Sequence, residues 1–554
     1  MTERILRVTL NYVGVTPGPP AVAPLEYATE SHIAPLSSWL PAGRFIEGRV
    51  IQPGLIERSM YGAGRLRGAS PVAGGAIVLA NADGALDEIL GYSFDGQVFY
   101  VQELNLATMA AKYTICQGYL EQPTWDEETI TFQCRSIAHA LDINLLEEKY
   151  AGTNALPTGI EGTPNDIGGL PKPVLLGTCY NVMPVQVNTS KKIYQLDGVR
   201  GLRPAYTLTV FDKRAVIMED SAGDYTDQAD MEANSPATGK YRVWPAGGCF
   251  RINFTPVGML TCDVMNPADY NAPGTTPTGD STLTQVLTTM NREVLALPRY
   301  GLDAFHPLSQ LYAADPDVGI YVQDTRTALT AVNDLLASVG GCLINAAPMN
   351  GAYSGDRYST AQLYEPSAPY FTPAMSPLSL TDDDLIPGSL RLIPPNEPER
   401  GLPVWRVNVQ YAKNWTLMTA NDLAGVAADQ LARWTQEYLT ASAEDATVKD
   451  DWPQALELTV TTLLVDQTEA QAEAQRLLDL FGVPRQRFAL SIPRKVMIEA
   501  PHMGTSGNNP SNFVPGVRVT LTLDRFGLGS GKTFVITEMR DNVEQLTIDL
   551  VIWG

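Results

Sequence analysis

The sequence predicts a mainly β protein with α+β parts. Short β-rich runs, broken by Gly, Asp and Pro turns, fill the first 150 residues. Turn residues are plentiful, with 46 Gly and 40 Pro in a chain of 554. Near the end, strand patterns alternate with two helical patterns.

Taken in order, residues 1–150 hold "ILRVTLNYV", "GRFIEGRVI", "GAIVLAN", "QVFYVQEL", "YTICQGYL" and "TITFQCRSI". Their regular spacing between turns predicts a barrel or a sandwich. Residues 151–172, "AGTNALPTGIEGTPNDIGGLPK", read as a loop or linker. A mixed region follows to about residue 275, with strands "YTLTVFD", "KYRVWP" and "CFRINF" and then "NPADYNAPGTTPTGDS". "TLTQVLTTMNREVLAL" puts Leu283, Val286, Leu287, Met290, Val294 and Leu297 on one helical face, ended by Pro298. "TRTALTAVNDLLASVGG" does the same with Leu329, Val332, Leu335, Leu336 and Val339, with Asp324 as the expected N-cap and Gly340-Gly341 as the stop. A Pro-rich connector, "DLIPGSLRLIPPNEPERGLP", closes this part near residue 402.

The last 150 residues begin with strand "VWRVNVQY" and a predicted helix, "NDLAGVAADQLARWTQEYL", with Leu423, Ala427, Leu431, Trp434 and Tyr438 in one stripe. Strand "ALELTVTTLLV" precedes helix "DQTEAQAEAQRLLDLFG", where Asp466 and Glu469 are spaced as a capping box and Ala470, Ala474, Leu477, Leu478 and Phe481 form the apolar face. Strands "VRVTLTL", "TFVITEM" and "EQLTIDLVIW" finish a sheet that the two helices are expected to cover. These breaks divide the chain into residues 1–150, 151–300, 301–402 and 403–554.

Composition narrows the function. The formal net charge of −22 argues against a nucleic-acid-binding surface, which needs clustered Lys and Arg. The start, "MTERILRVTLNYV", lacks the long apolar core of a signal peptide, and no 18-residue apolar run offers a membrane span. A soluble protein made in a cytoplasm, with no stable membrane insertion, is the expectation. Cys116, Cys134, Cys179, Cys249, Cys262 and Cys342 form no CxxC pair and read as buried thiols. His32, His139, His306 and His502 have no second ligand at metal spacing. No cofactor and no metal is expected.

Three stretches imitate sites. "GLGSGKTF" (527–534) looks like a phosphate-binding loop, but Phe526 stands where the first glycine belongs and a strand pattern follows instead of a helix. It reads as a hairpin turn. "NADGALDEI", with Asn81, Asp83 and Asp87, misplaces the glycine of a calcium loop and lacks its closing Glu, and so reads as a turn before a short helix. The acidic stretch Glu219, Asp220, Asp224, Asp227, Asp230 and Glu232 lacks regular spacing, and Asp382-Asp383-Asp384 precedes the connector, so both read as solvated loops. There is no GxSxG, no HExxH and no carboxylate pair that stands out, and no catalytic or binding residue is assigned.

Five segments in order resemble the hub proteins at the baseplate or tail tip of long-tailed bacteriophages. They are "GGAIVLANADGALDEILGYSFDGQ", "KYAGT…PKPVLLGTCYNVMPV", "AGGCFRINFTPVGMLTCDV", "PVWRVNVQYAKNWT" and "GVRVTLTLDRFGLGSGKTFVITEM…LTIDLVIWG". The resemblance implies two tail-tube-like β-barrel domains, one N-terminal (1–150) and one in the C-terminal α+β part (403–554). Between them it implies a β-rich or mixed domain (151–300) and an α+β domain (301–402). It further implies a non-enzymatic, structural homotrimer in the virion. Such a trimer joins the hexameric tail tube, or a distal tail protein, to a threefold tip or central fibre protein. Genome DNA would pass through its channel without specific binding, and the acidity would keep phosphates from sticking. The rival readings are a tail-associated cell-wall hydrolase and a host-surface binding tail protein, the latter drawing on 23 Tyr and 8 Trp.

Overall fold

The computed structural model describes residues 5–13, 22–33, 43–54, 57–62, 66–69, 74–105, 107–109, 111–268, 281–295, 315–344, 359–367, 378–394, 402–499, 515–542 and 545–554. They form two compact units built from interleaved segments. One combines Met1–Asp142, Gly341–Leu402 and Pro484–Gly554; the other combines Ile143–Gly340 and Pro403–Val483. The protein is mainly β, as its turn-rich sequence predicts.

The first unit starts with an eight-stranded antiparallel sheet. Its order is Val22–Ala28, Leu6–Val13, Val98–Leu104, Ala111–Leu120, Thr129–Arg135, Gly74–Ala80 and Val50–Pro53, with Thr124–Trp125 beside Thr129–Arg135. Alternation sets the register: Leu6, Val8 and Leu10 are fully buried on the face they share with Phe99, Val101, Ile77, Leu79, Ile130 and Phe132. Phe94 meets Phe132 edge-on at 4.9 Å in this core. Tyr27 of one outer strand bridges to Glu47, just before the other outer strand Val50–Pro53, and the Ala28 N–H donates to the Glu47 carbonyl at 2.9 Å. No sheet closes into a barrel among the described residues.

The same unit holds a seven-stranded C-terminal sheet in the order Leu378–Leu380, Arg518–Leu521, Lys532–Asn542, Thr547–Trp553, Arg487–Pro493 and Arg391–Ile393. Its seventh strand, Arg58–Ser59, comes from the other end of the chain and pairs with Met539 and Glu538. Phe488, Leu490, Ile492, Leu521, Phe534, Ile536, Leu550 and Ile552 make its core. Buried Arg494 pairs with Glu103 of the first sheet and with Asp541 of the second.

The second unit packs a five-stranded antiparallel sheet against a four-stranded one. The first has the order Ala215–Ile217, Thr207–Asp212, Leu260–Asn266, Val174–Val182, Gly319–Val322; the second, Val185–Asn188, Ile193–Gln195, Cys249–Ile252, Tyr241–Trp244. Val182, Val210, Cys262 and Val264 of one meet Tyr194, Val243, Phe250 and Ile252 of the other. A third, three-stranded sheet has Val404–Tyr411 between Leu439–Glu444 and Leu456–Thr461. Helix Gln467–Phe481 packs its expected stripe, Ala470, Ala474, Leu477, Leu478 and Phe481, out of solvent. The loop 151–172 is knitted to this unit: Asn154 donates to the Val187 carbonyl at 2.7 Å, and Asn188 donates to Gly159 at 2.8 Å.

Several local expectations are corrected. Residues 421–439 do not form one helix. They run as 3-10 turns at Ala420–Asp422 and Gly425–Gln430, one α turn at Leu431–Trp434, and then a strand. The N-cap of helix Ala328–Ala337 is Thr327, because Asp324 is drawn off to Arg326 at 2.8 and 2.7 Å. Asp466 does cap helix Gln467–Phe481, at Thr468 N–H (2.7 Å) and Glu469 N–H (3.2 Å). Glu469 does not complete a box: both its oxygens accept from the Asp317 N–H, at 3.1 Å each. The helix from Leu283 forms with a Thr282/Gln285 capping box and passes into a π turn at Met290–Val294, while Leu297 and Pro298 lie outside the described residues. The strands of the last 150 residues divide between two sheets, and the C-terminal one also contains Arg487–Pro493, a strand that the sequence pattern does not predict.

Two predictions follow from close approach and from charge. Gly177 has φ 75, and a Cβ there would lie 2.0 Å from the Val318 carbonyl oxygen; on the paired strand, a Cβ on Gly319 would lie 1.8 Å from that of Thr178. Gly177→Ala and Gly319→Ala are each expected to destabilise the protein by more than about 2 kcal/mol in thermal unfolding. Burial raises Glu469 from 4.5 to about 7; the Asp317 N–H opposes this, and the Asp317, Asp466 and Asp315 carboxylates add to it. The folded state therefore holds this proton more tightly than the unfolded state, so stability falls as pH rises from about 4.5 to about 7. Glu469→Gln is expected to remove that part of the slope in melts taken across the range.

Candidate functional site

The most unusual chemistry lies at a turn. Asp212 pairs directly with Ala215, leaving Lys213-Arg214 as a two-residue hairpin loop. Both are left-handed, with φ 53 and 62. This is the pattern that normally selects Asn-Gly, and L-residues with a Cβ pay roughly 1–2 kcal/mol each to adopt it.

Arg214 supplies the compensation. Its side chain is 3% exposed. Its guanidinium lies 3.6 Å from the ring centroid of Phe211 and 3.6 Å from that of Trp434. The same plane donates two bonds to Asp263, at 3.0 and 2.9 Å, and one to Asn181 Oδ1 at 3.3 Å. A buried guanidinium thus gains cation–π contact on its faces and charge-assisted bonds along its edge.

Asn181, itself at φ 55, extends the network. Its N–H donates to Asp263 Oδ1 at 2.8 Å, and its Nδ2 donates to Asn414 Oδ1 at 2.9 Å and to the Thr416 carbonyl at 2.5 Å. Asn414, 2% exposed, donates in turn to the carbonyls of Trp434 (2.9 Å) and Gln436 (3.2 Å). Arg433 donates to the carbonyl of Ala412, whose φ is 49, at 2.8 Å. Burial lowers the Arg433 pKa; the Asp263 carboxylate opposes that shift, and the Arg214 charge adds to it. The assembly positions chain segments. It presents no nucleophile beside a base.

A fully buried carboxylate elsewhere in the unit behaves alike. Burial raises Asp197 to about 6, the kind of perturbation that often marks catalysis. Here Oδ1 accepts from the Val199 and Arg200 N–H groups at 3.1 and 2.8 Å, and Oδ2 accepts from the Leu175 N–H at 3.3 Å and Asn266 Nδ2 at 3.1 Å. Both oxygens are committed to holding backbone.

The stretches that imitate sites fall elsewhere. The glycine-rich run joins Arg518–Leu521 to Lys532–Asn542 as an antiparallel hairpin, with Phe526, Gly527 and Gly531 at φ 57, 76 and 79, and no helix follows. Asn81 binds Asp87 at 2.9 Å and the Leu86 N–H at 2.8 Å, while Asp83 binds Arg49 at 2.9 and 2.8 Å, a pairing that holds it down at about 2. Asp227 caps helix Gln228–Ala233; Asp230 accepts from Thr226 and Asn234; Asp220 accepts from Ala222 and Ala237; Asp224 accepts from Tyr206; and Glu232 accepts from Gly159 and Gln228. Asp384 forms a capping box with Thr381. All six cysteines are buried, and burial pushes the thiols of Cys134, Cys179, Cys249 and Cys262 up, away from reactive thiolate. His32 is buried against the Glu30 carbonyl, and His139 lies in a 3-10 turn, whereas His306 and His502 lie outside the described residues. Among the described residues no three metal-ligating side chains gather, and no helix is long and apolar enough to cross a membrane.

Sequence reasoning passed over Arg214, Asp263, Asn181, Asn414 and Trp434 as a group, since no motif spacing links them. One local signal was present: Lys-Arg between two alternating runs, at a turn length that normally demands Asn-Gly.

No family model matches the chain, and no curated protein matches it. Among solved structures it is similar to the tail protein from Neisseria meningitidis MC58, at 9% identity over 90% of this chain and 91% of that one, with a TM-score of 0.36. It is similar to the 43 kDa tail protein of prophage MuSo2 from Shewanella oneidensis, at 10% identity over 99% and 98%, with a TM-score of 0.36. It is also similar to prophage tail protein gp18 from Listeria monocytogenes EGD-e, at 5% identity over 100% and 94%, with a TM-score of 0.37. Superpositions this loose carry neither fold nor role across to the chain.

The arginine network makes its own prediction. Arg214→Lys keeps the charge but loses the planar fork and the double stack, and is expected to destabilise the protein by about 3 kcal/mol. Asp263→Asn is expected to cost a similar amount, and the double variant less than the two together. A double-mutant cycle in denaturant unfolding checks this.

Proposed function

We propose that the chain is a non-enzymatic structural protein of a bacteriophage tail. In this reading it is the hub that joins the tail tube to a threefold tip as a homotrimer and lines part of the DNA channel. One observation carries the reading. Three of the segments that resemble tail hubs, "PKPVLLGTCYNVMPV", "AGGCFRINFTPVGMLTCDV" and "PVWRVNVQYAKNWT", supply Asn181, Asp263 and Asn414, which meet in one buried network. Segments that share a resemblance and also share a structural joint behave as parts of one framework.

Other features support the same reading. The first sheet, bridged from Tyr27 to Glu47, is taken as the first tube-like barrel, and the C-terminal sheet as the core of the second. The buried Asp197 carboxylate that would interest an enzyme accepts from backbone N–H groups, and half-buried Asp263 pairs with Arg214. The net charge of −22 suits a channel along which DNA slides without binding.

Negative-stain electron microscopy with native mass on the same purified sample, alone and with tail-tube protein added, tests the proposal. A threefold ring with a central hole, at three times the mass of one chain, is the expected result. A single-chain particle under both conditions would overturn the hub reading. Peptidoglycan cleavage lost on changing one carboxylate would replace it with the hydrolase.

A further inference from the structure

Residues 420–438 are at odds with their own sequence. Leu423, Ala427, Leu431, Trp434 and Tyr438 recur at helical spacing, and the residues between them are mostly Ala, Gln, Arg, Glu and Asp. Gly425 is the poorest helix former of the stretch. Yet the backbone makes two 3-10 turns and a single α turn before the strand Leu439–Glu444. Of the stripe, Leu423 and Trp434 are buried, and Leu431 and Tyr438 are half-buried.

A small set of contacts holds the stretch in this form. The Trp434 ring lies on Arg214, and the carbonyls of Trp434 and Gln436 accept from Asn414. The Ala424 N–H donates to the Lys213 carbonyl at 2.8 Å, and the Met418 N–H to the Trp434 carbonyl at 3.0 Å. Met418, Leu423 and Trp434 form a small apolar cluster with Tyr180, Met259 and Leu431, separate from the main cores. Four residues of the surrounding network, Asn181, Lys213, Arg214 and Ala412, sit at positive φ. Conflict between local preference and observed backbone, next to strained residues, marks a functional or strained site.

We infer that residues 420–438 are a two-state segment: a strap while Trp434 is stacked on Arg214, and an amphipathic helix when that stack is broken. The strap gives up i→i−4 hydrogen bonds and keeps the tryptophan's stacking. The helix regains those bonds and gathers Leu423, Leu431, Trp434 and Tyr438 on one side. Two packings of one sequence are what a neighbouring protein can select between.

Hydrogen exchange of the full chain, read by mass spectrometry on peptides covering 426–437, tests this. Trp434→Leu removes the ring from Arg214 yet keeps a residue suited to the helical stripe. Its amides in 426–437 are expected to exchange at least about tenfold more slowly than in the parent chain. Adding Ala428→Pro, which cannot sit inside a helix, is expected to restore fast exchange. Unchanged or faster exchange in Trp434→Leu overturns the inference. If that variant fails to fold, Gly425→Ala decides: a Cβ there meets nothing within 4 Å. It leaves the strap's contacts alone and favours helix, so exchange is expected to slow about fourfold. No slowing overturns the inference equally.

Discussion

The guanidinium of Arg214, held flat between two aromatic rings and forked onto Asp263, is the constraint on which much of the second unit depends. Moving such a group out of water costs several kcal/mol, and a partial set of partners does not recover that. Here the set is nearly complete, and each partner comes from a different stretch: the hairpin supplies the arginine and Phe211, Leu260–Asn266 supplies Asp263, Val174–Val182 supplies Asn181, and the α turn supplies Trp434. Apolar burial alone would fix these elements only loosely, because hydrophobic contact has no direction. The fork and the stack set distance and angle.

Much of the fold was legible from period and punctuation. The first sheet follows from runs such as "VTLNYV" and "TITFQCR", whose alternation leaves one face apolar. Helix Gln467–Phe481 follows from its stripe and from Asp466. The failures have physical causes. Glu469 has the right spacing for a capping box, but the Asp317 N–H, over 150 residues away, competes for its carboxylate. Asp324 is lost to Arg326 in the same way. The stretch 421–439 has the right period, but the period describes a preference that the Arg214 stack overrules. Local pattern reports what a segment would do alone.

The central network was illegible for another reason. Its polar members lie within strands and turns where a single Asp or Asn looks like surface, and burial of a polar side chain leaves no periodic trace. Interleaving was equally hidden. A linear reading lays parts end to end, whereas compactness groups the first 142 residues with segments far downstream. The strand Arg58–Ser59, paired with Met539 and Glu538, shows how far apart such neighbours can be.

That pairing places a demand on synthesis. The partner strand leaves the ribosome roughly 480 residues after Arg58, which at ordinary translation rates is a delay on the order of half a minute to a minute and a half. Throughout that interval Arg58–Ser59 waits without its sheet, while the eight strands of the first sheet, all within residues 6–135, can already pair with one another. The C-terminal sheet, whose last strand runs to Trp553, is therefore the last part of the first unit that synthesis can complete.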